Sequence, residues 1–438
     1  MFLCRCVCEV TGNPGLAQND DFAGSGPDTS KGVTAGSSMD SSVSLIAEKS
    51  TKPTLAIERL TLTHFRNYAT LRLNCGAEPV VLTGPNGAGK TNLLEALSFL
   101  APGRGLRRAK LNDIARHDLE DSDQNGAMVW GVAAHLTTPQ GPVELGTGCN
   151  GEVTKGGRPR RIVHVDGETV SQQAALAEHV HVQWLTPQMD RLFLDGAQAR
   201  RRFLDRLVFG FDSAHAGRVA AYEHALRERN RLFRNQGIRA DADWLTALED
   251  TMASKGVAVA AARREILMRV KPACIEVNSH FPAAEVSLEG TLETWLEEMP
   301  ALAAEDQYRS ALAASRDKDA ETGRAAIGPH RSDLRVRHVG NGRMAELCST
   351  GEQKALLIRL ILAHVQTAAR DWGRLPILLL DEVAAHLDEK RRTALIEEIM
   401  TLRIQAWLTG TDETLFEAFK HDAQFFHVNA GTVSAGNL

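Results

Sequence analysis

The segment GPNGAGKT, at residues 84–91, constrains the fold of this chain more than any other feature. The apolar run EPVVLTG precedes it, and TNLLEALSFLA follows it with leucines at the spacing of one helical face. A strand, a glycine loop and a helix in this order predict a phosphate-binding loop, because glycines let backbone N–H groups approach an anion at a helix N-terminus. The residues predicted to bind nucleotide in this loop are Gly84, Pro85, Asn86, Gly87, Ala88, Gly89, Lys90 and Thr91.

The two side chains that end the loop have separate predicted tasks. We expect the Lys90 ammonium to neutralise the β- and γ-phosphates of ATP, which is a catalytic role. The Thr91 hydroxyl is an oxygen ligand of the kind that Mg²⁺ prefers. The sequence therefore predicts ATP and Mg²⁺ as cofactors.

Two acids follow a second apolar run, ILLL, at residues 377–380. A nucleotide site needs an acid at the end of a core strand, and Asp381 and Glu382 are both placed there. We expect Asp381 to hold Mg²⁺ beside the nucleotide through water. Glu382 is the predicted general base, because it is placed to polarise the attacking water.

A third segment, STGEQK, opens a predicted helix about 30 residues before Asp381. In this position it resembles the signature loop of the ABC ATPase family. The resemblance implies that Ser349 and Gly351 bind the γ-phosphate of a nucleotide held by the opposite subunit, so that two helix N-termini face one anion. It also implies that Gln188, in LTPQMD, couples Mg²⁺ to the inserted arm, as a metal ligand and a catalytic residue.

Two weaker segments bear on the same family. Residues 385–388, AHLD, stand where these ATPases have their D-loop. Thr411 stands where many of them carry a switch histidine, which argues against histidine-assisted sensing of the γ-phosphate here.

The composition is that of a globular protein, with 43% hydrophobic and 24% charged residues. The formal net charge of -5 argues against a uniformly basic nucleic-acid binder. Since no apolar stretch approaches the roughly 18 residues that a membrane helix needs, we predict a cytoplasmic protein without a membrane partner. A C-x-C-x-C run at residues 4–8 could bind a soft metal, but it lacks a second ligand pair, and free thiols are the preferred interpretation.

The predicted fold class is α/β. We predict an ABC-ATPase (P-loop NTPase) head of mixed sheet and helices, with an antiparallel β subdomain and an inserted helical arm. Residues 1–52 are predicted to be a disordered extension, with Met39 as an alternative start. Residues 53–195 form the N-terminal half of the head with the β subdomain, 196–312 the arm, and 313–438 the C-terminal half. An Asp166-Gly167 turn is predicted within the β subdomain.

The arm separates Lys90 from Ser349 by more than half of the chain, which is too far for a transporter ATPase domain. It is also too short for the coiled coil of an SMC protein and has no sustained heptad repeat. We expect potential helix breakers to divide it into short helices, namely Gly210, Gly237, Gly256 and Pro272.

Several motifs occur together over residues 55–438: HFRNY, GPNGAGKTNLLEA, RRRFLD, GPHRSD, STGEQK and LLLDEVAAHLD. In this order they resemble the bacterial RecF family of SMC-like recombination mediators. The resemblance implies an ATPase that dimerises on ATP, binds DNA at single-strand gaps or at junctions of single- and double-stranded DNA, and works with RecR and RecO to help load RecA. It also implies that Arg66 and Asn67 lie near the nucleotide. Packing of a strand turn is the alternative for these two residues.

Three basic clusters could provide a local DNA surface despite the acidic total. The predicted DNA-binding residues follow the glycine-loop helix: Arg104, Arg107, Arg108 and Lys110, with Arg116 nearby. The second cluster is Lys155, Arg158, Arg160 and Arg161, and the third is the arginines of residues 200–234. The third cluster is mixed with Glu223 and Glu228, so an ordinary solvated helix face remains an alternative.

The leading hypothesis is a DNA-repair protein with weak, DNA-stimulated ATPase activity, whose ATP-bound dimer clamps DNA without sequence preference. A scaffold that binds ATP without significant hydrolysis is the alternative. An accessory ATPase of a transporter is a more distant one.

Overall fold

The computed structural model of the chain describes residues 55–116, 129–151, 160–276, 279–373, 375–419 and 421–436. The predicted extension, with Met39 and the C-x-C-x-C run, lies outside the described residues, as do Lys155 and Arg158. The cysteines within them are free, as predicted: Cys75, Cys149, Cys274 and Cys348. Every helix in these ranges is too short or too polar to cross a lipid bilayer.

The first sheet contains β1 (Ala56–Phe65), β2 (Tyr68–Asn74), β4 (Val129–Thr138), β5 (Gly141–Asn150), β6 (Ile162–Val165) and β7 (Glu168–Val170). It is antiparallel, in the order β2-β1-β4-β5-β6-β7. The predicted turn joins β6 to β7, and Asp166 and Gly167 both have the positive φ, 49° and 82°, that a tight hairpin requires. This sheet is the predicted antiparallel subdomain.

The second sheet contains β3 (Val80–Thr83), β8 (Val182–Leu185), β11 (Ile377–Leu380), β12 (Ala406–Thr409), β13 (Gln424–Asn429) and β14 (Thr432–Ala435). Its order is β14-β13-β3-β12-β11-β8, and all neighbours are parallel except β13 and β14. The central strands β3, β11 and β12 are buried throughout, because both faces of the sheet are covered. Their carboxyl ends therefore meet at one edge.

The helices are α1 (Lys90–Ser98), α2 (Leu176–His179), α3 (Ala197–Phe209), α4 (His215–Gln236), α5 (Ala242–Ile275), α6 (Thr291–Glu298), α7 (Ala301–Ala314), α8 (Arg316–Thr322), α9 (Thr350–Trp372) and α10 (Glu389–Leu402). A two-stranded sheet pairs β9 (Ala284–Glu289) with β10 (Asp333–His338). Most of α9 is buried between the second sheet and the helices of the arm. The mixed α/β class predicted from the sequence is confirmed.

The arm differs from the prediction in its internal breaks. Gly210 and Gly237 end α3 and α4 as predicted, but α5 continues for 34 residues through Gly256 and Pro272. A Cβ at Gly256 would lie 3.0 Å from the Tyr308 ring, so this glycine permits close helix packing. Pro272 lies in the last turn of α5, so the backbone hydrogen bond that it removes weakens only the end of the helix and does not divide it.

The arm also extends further than the sequence pattern indicated. The predicted boundary at residue 312 falls inside α7, and helical structure continues to Thr322. Strand β9 lies within the predicted helical section and pairs with β10 beyond it. This pairing closes the base of the arm, because it joins the segments before and after α6, α7 and α8.

Candidate nucleotide site

The glycine loop connects β3 to α1 in the conformation that its glycines allow. Gly84, Gly87 and Gly89 have φ values of 138°, 80° and 120°, which side-chain-bearing residues rarely adopt. At Gly89 a Cβ would also lie 2.5 Å from the Asn67 amide and 2.7 Å from the Tyr68 hydroxyl. The loop is thus shaped to present backbone N–H groups at the start of α1.

Lys90 is held against the loop that it ends. Its Nζ donates to the carbonyl oxygens of Gly84 at 2.7 Å and Pro85 at 2.9 Å. Burial lowers the pKa of Lys90, while the nearby charges of Glu382 and Asp381 act in the opposite direction. The ammonium therefore lies against the glycine loop, and its contact with phosphates stays a prediction.

Asp381 joins two hydroxyl groups at the shared edge of β11 and β12. Its Oδ1 accepts hydrogen bonds from Thr91 Oγ1 and Thr409 Oγ1, each at 2.9 Å. Burial raises the pKa of this carboxyl, and the two threonine hydrogen bonds lower it. The hard oxygen donors of Thr91 and Asp381 suit Mg²⁺, which typically binds one or two protein oxygens together with phosphates and water.

Glu382 is fixed in an unusual backbone conformation directly after β11. Its φ of 52° is left-handed, and its N–H donates to Thr409 Oγ1 at 2.8 Å. The carboxylate lies within electrostatic reach of Lys90. Sequence reasoning missed Thr409, although its position at the end of the apolar run QAWLTG could have indicated it.

Gln188 reaches the same edge from a neighbouring strand. Leu185, the last residue of β8, lies opposite Leu380 of β11, and its carbonyl accepts from the Asp381 N–H at 2.9 Å. Gln188 follows in the single helical turn Pro187–Arg191 with an exposed side chain. In the same turn, Asp190 forms a 3.3 Å ion pair with Lys354 of α9.

The segment that resembles a signature loop forms the N-terminus of α9. Ser349 is the N-cap, and it forms a capping box with Glu352: its N–H donates to Oε2 at 2.8 Å, and its Oγ accepts from the Glu352 N–H at 3.3 Å. Ser349 and Gly351 are exposed, and no hydrogen bond in the described ranges joins them to the glycine loop. The helix end is therefore free to face another molecule.

Arg66 and Asn67 contact the loop and its helix from the turn between β1 and β2. Arg66 donates to both Glu95 oxygens, at 2.9 and 2.8 Å, and Glu95 is buried on α1. Asn67 donates to the Ala88 carbonyl at 3.1 Å and accepts from Asn92 at 2.7 Å. Asn67 thus lies against the loop itself, and Arg66 is engaged by α1.

The basic residues after α1 point in two directions. Arg107, predicted to bind DNA, donates to Asn92 at 2.6 Å and Glu95 at 3.0 Å, and its charge reaches Asp381. It lies against the nucleotide site because Glu95 attracts two arginines to α1. The other three, Arg104, Arg108 and Lys110, are exposed, as is Arg107 itself.

Two arginines of the remaining basic clusters are structural. Arg161 is buried and donates to the Gly103 carbonyl at 2.7 Å, and burial lowers its pKa to about 9. Arg229, in the arm, is fully buried and pairs with Glu249 at 2.9 Å and Asp319 at 2.7 Å. These two guanidinium groups are not available to DNA.

Comparisons with known proteins show the family of the chain. The family model described as RecF/RecN/SMC N terminal domain matches residues 56–434. "DNA replication and repair protein RecF" of Mesorhizobium japonicum is 48% identical over 380 residues, covering 86% of this chain and 97% of its own length. The protein of the same name from Brucella suis is 48% identical over 386 residues, covering 87% and 96%.

Solved structures show the same fold. A recombination mediator protein described as RecF-ATPrS in the RecFOR pathway has a TM-score of 0.73 at 21% identity, covering 88% of this chain and 99% of its own. An Smc head domain from Pyrococcus furiosus has a TM-score of 0.50 at 13% identity, covering 88% and 96%. The motifs, the fold and the relatives together place the chain in the RecF family of DNA replication and repair proteins.

Proposed function

We propose that this chain is an ATP-driven DNA-binding repair protein in which two copies enclose two ATP molecules. One observation carries the proposal. Lys90, Thr91, Asp381 and Glu382 lie together at one edge of the second sheet, while Ser349 and Gly351 form an exposed helix end that, among the described residues, makes no hydrogen bond to that edge. A second chain supplies the missing helix end, whose dipole favours the γ-phosphate.

The residues at the edge divide the work of hydrolysis. Lys90 and the loop N–H groups bind the β- and γ-phosphates, and Thr91 and Asp381 hold Mg²⁺, with Gln188 reaching it from β8. When bound, Mg²⁺ would supply positive charge beside the phosphates. Glu382 orients the attacking water and accepts its proton. The rigid, strained backbone at Glu382 keeps the carboxylate aimed at that water.

DNA is the partner that family membership and the local basic surface support. We propose binding at gaps in the duplex without base readout, cooperation with RecR and RecO, and thereby assistance to RecA, in the cytoplasm. The ATPase is weak and DNA-stimulated, because closing the dimer around DNA completes the site. The ATP-analogue complex of a relative with the same fold is consistent with this use of the glycine loop.

Mixing two inactive variants tests whether the site is shared. Glu382→Gln lacks the base, and Ser349→Arg blocks the helix end, so each alone should hydrolyse little ATP. In a mixed dimer, the Ser349→Arg chain supplies an intact Glu382 and the Glu382→Gln chain supplies an intact Ser349. These two residues meet in one of the two sites and restore it. Because a heterodimer has one intact site of two, activity should return on mixing to a measurable fraction of the wild-type rate, at most about one half.

Sedimentation of the single variants provides the control. Glu382→Gln should dimerise with ATP and remain dimeric, whereas Ser349→Arg should stay monomeric. Full activity of Ser349→Arg by itself, or no recovery on mixing, contradicts the shared site. ATP-dependent dimers without Glu382-dependent turnover would favour the scaffold instead.

A further inference from the structure

A cleft lies between α3 and α4, with α5 as its floor. Gln198, Arg201 and Arg202 face it from α3, at the spacing of one helical face, and Glu223 and Arg227 face it from α4. Arg263 of α5 lines the bottom. The cleft, called here the arginine cleft, encloses about 380 Å³.

The charges that line the arginine cleft are not balanced. Four arginines and two carboxylates line it, and Asp205, one of the carboxylates, is already bound by Arg263 at 2.8 Å and His215 at 2.9 Å. The other, Glu223, is mostly exposed and lies 3.6 Å from Arg227. Among the residues that the structure describes, no carboxylate within salt-bridge distance therefore remains for Arg201 and Arg202.

Arg201 and Arg202 have correspondingly few partners. Arg201 donates to the Ser332 carbonyl at 2.7 Å. Arg202 is exposed, and its guanidinium forms no hydrogen bond or ion pair within the described part of the chain. Burial lowers the pKa of Arg201, and the positive charge of Arg263 lowers it further, while the charges of Asp333 and Asp205 raise it with smaller effects. The Arg202 guanidinium, and the N–H groups of Arg201 that do not contact Ser332, are available to an anion from solvent.

The loop after α1 adds a third cation to the rim. Burial lowers the pKa of Arg108, the charges of Arg202 and Arg104 lower it further, and Glu223 of the cleft raises it, so Arg108 lies within electrostatic reach of the arginine cleft. Like Arg202, Arg108 has no side-chain partner in the described ranges. Its neighbour Arg107 points away, to α1. Repulsion between these cations is relieved when an anion lies between them.

We propose that the arginine cleft and Arg108 bind phosphate groups of the DNA duplex backbone, with Arg108, Arg201 and Arg202 as the contacting side chains. The inference rests on the proposed DNA-binding function and assigns it a surface. Planar guanidinium groups match phosphate oxygens in pairs, and contacts to phosphate carry no sequence information. The exposed Arg104 and Lys110 extend the same basic rim.

The salt dependence of duplex binding tests this assignment. Affinity of the full chain with ATP for a labelled duplex is measured over a range of salt concentrations for wild type, Arg108→Ala/Arg202→Ala and Arg108→Lys/Arg202→Lys. The alanine variant should bind more weakly, and its log–log slope should be shallower by about 0.9 for each phosphate that it no longer neutralises. The lysine variant keeps both charges and should retain most of the wild-type slope.

The matched control removes two exposed arginines that have acidic partners outside the cleft. Arg231→Ala/Arg337→Ala loses the same net charge, since these side chains are 66% and 52% exposed and pair with Glu228 and Glu285. It should keep the wild-type slope, and all variants should keep ATP binding and thermal stability. If wild type binds duplex but the alanine variant keeps its slope, or the control loses as much, the cleft is not the site. Absence of duplex binding by wild type would overturn the proposed function together with the cleft.

Discussion

Thr409 connects the two acids of the nucleotide site through a single hydroxyl. Its Oγ1 donates to Asp381 and accepts from the Glu382 N–H, so the Mg²⁺ ligand and the general base share one anchor. The side chain is buried, and neither hydrogen bond can be replaced easily by water. Thr409 therefore acts as a positioning residue for both acids.

Replacing Thr409 with valine keeps the shape and removes both hydrogen bonds. We expect hydrolysis to fall about 10- to 100-fold, because misplaced catalytic groups cost about that much, with a smaller effect on ATP binding. The pKa of Asp381 is already raised by burial, and loss of the Thr409 hydrogen bond raises it further. Since Mg²⁺ binding needs the ionised carboxylate, the acid limb of the rate profile should move to higher pH.

Steady-state kinetics across pH, with urea unfolding as a check, measure this effect. Thr401→Val, at an exposed position of α10, is the control and should leave the profile unchanged. An unshifted acid limb in Thr409→Val would show that the hydroxyl does not act through Asp381.

Individual site residues were predictable where short motifs carry them. Lys90, Thr91, Asp381 and Glu382 lie in contiguous segments whose order along the chain predicts their meeting. Arg107 was not predictable in this way, because its place depends on a tertiary contact with the buried Glu95. A local pattern of arginines does not distinguish a solvent-facing side chain from one that folds back on a helix.

The elements were predictable to the extent that local pattern determines them. The strand, loop and helix around residues 84–91 and the hairpin at Asp166 follow from turn chemistry and periodicity. The unbroken α5 could not be predicted from local pattern, because packing against tyrosines overrides the poor helix propensity of Gly256. Strand β9 was missed for a related reason, since its partner β10 lies beyond three intervening helices.

Gly256 provides a test of that packing. Glycine to alanine in a helix normally stabilises a protein by up to about 1 kcal/mol. Here the new Cβ would lie 3.0 Å from Tyr308 and 3.2 Å from Tyr222, and the two tyrosine hydroxyls bond each other at 3.1 Å. Because these buried rings are held in place, Gly256→Ala should lower the free energy of unfolding by about 1–3 kcal/mol.

Urea unfolding compares this variant with Gly217→Ala. Gly217 lies in α4, and a Cβ there has no atom within 4 Å. That control should be neutral or more stable than wild type. Equal stabilisation of both variants would mean that the tyrosines can move aside.

At the scale of the whole molecule, Asp205 joins the segments through which the chain leaves and re-enters the head. Its carboxylate, on α3, binds Arg263 of α5 through both oxygens at 2.8 Å and His215 of α4 at 2.9 Å. Arg263 also donates to the Pro329 carbonyl in the returning loop, at 2.6 Å. One buried carboxylate thus links three helices of the arm to the loop that leads back into β10.

Removing this charge should destabilise the chain in a pH-dependent manner. Burial alone would raise the pKa of Asp205, but Arg263 and His215 outweigh it and lower the pKa to about 2. A depressed carboxyl pKa stabilises the fold at pH values above the unfolded pKa, near 4, and that stabilisation is lost as the pH falls through the folded pKa.

Asp205→Asn leaves Arg263 buried without its counter-charge and should lower the free energy of unfolding by about 3–5 kcal/mol at pH 7. The difference in the free energy of unfolding between this variant and wild type should become smaller as the pH falls from about 4 towards 2. Urea unfolding at several pH values measures it, with Asp306→Asn, 69% exposed, as a control that should cost less than about 1 kcal/mol. If the variant and wild type differ little in the free energy of unfolding at pH 7, or differ equally at all pH values, the Asp205 contacts with Arg263 and His215 do not hold the arm to the head.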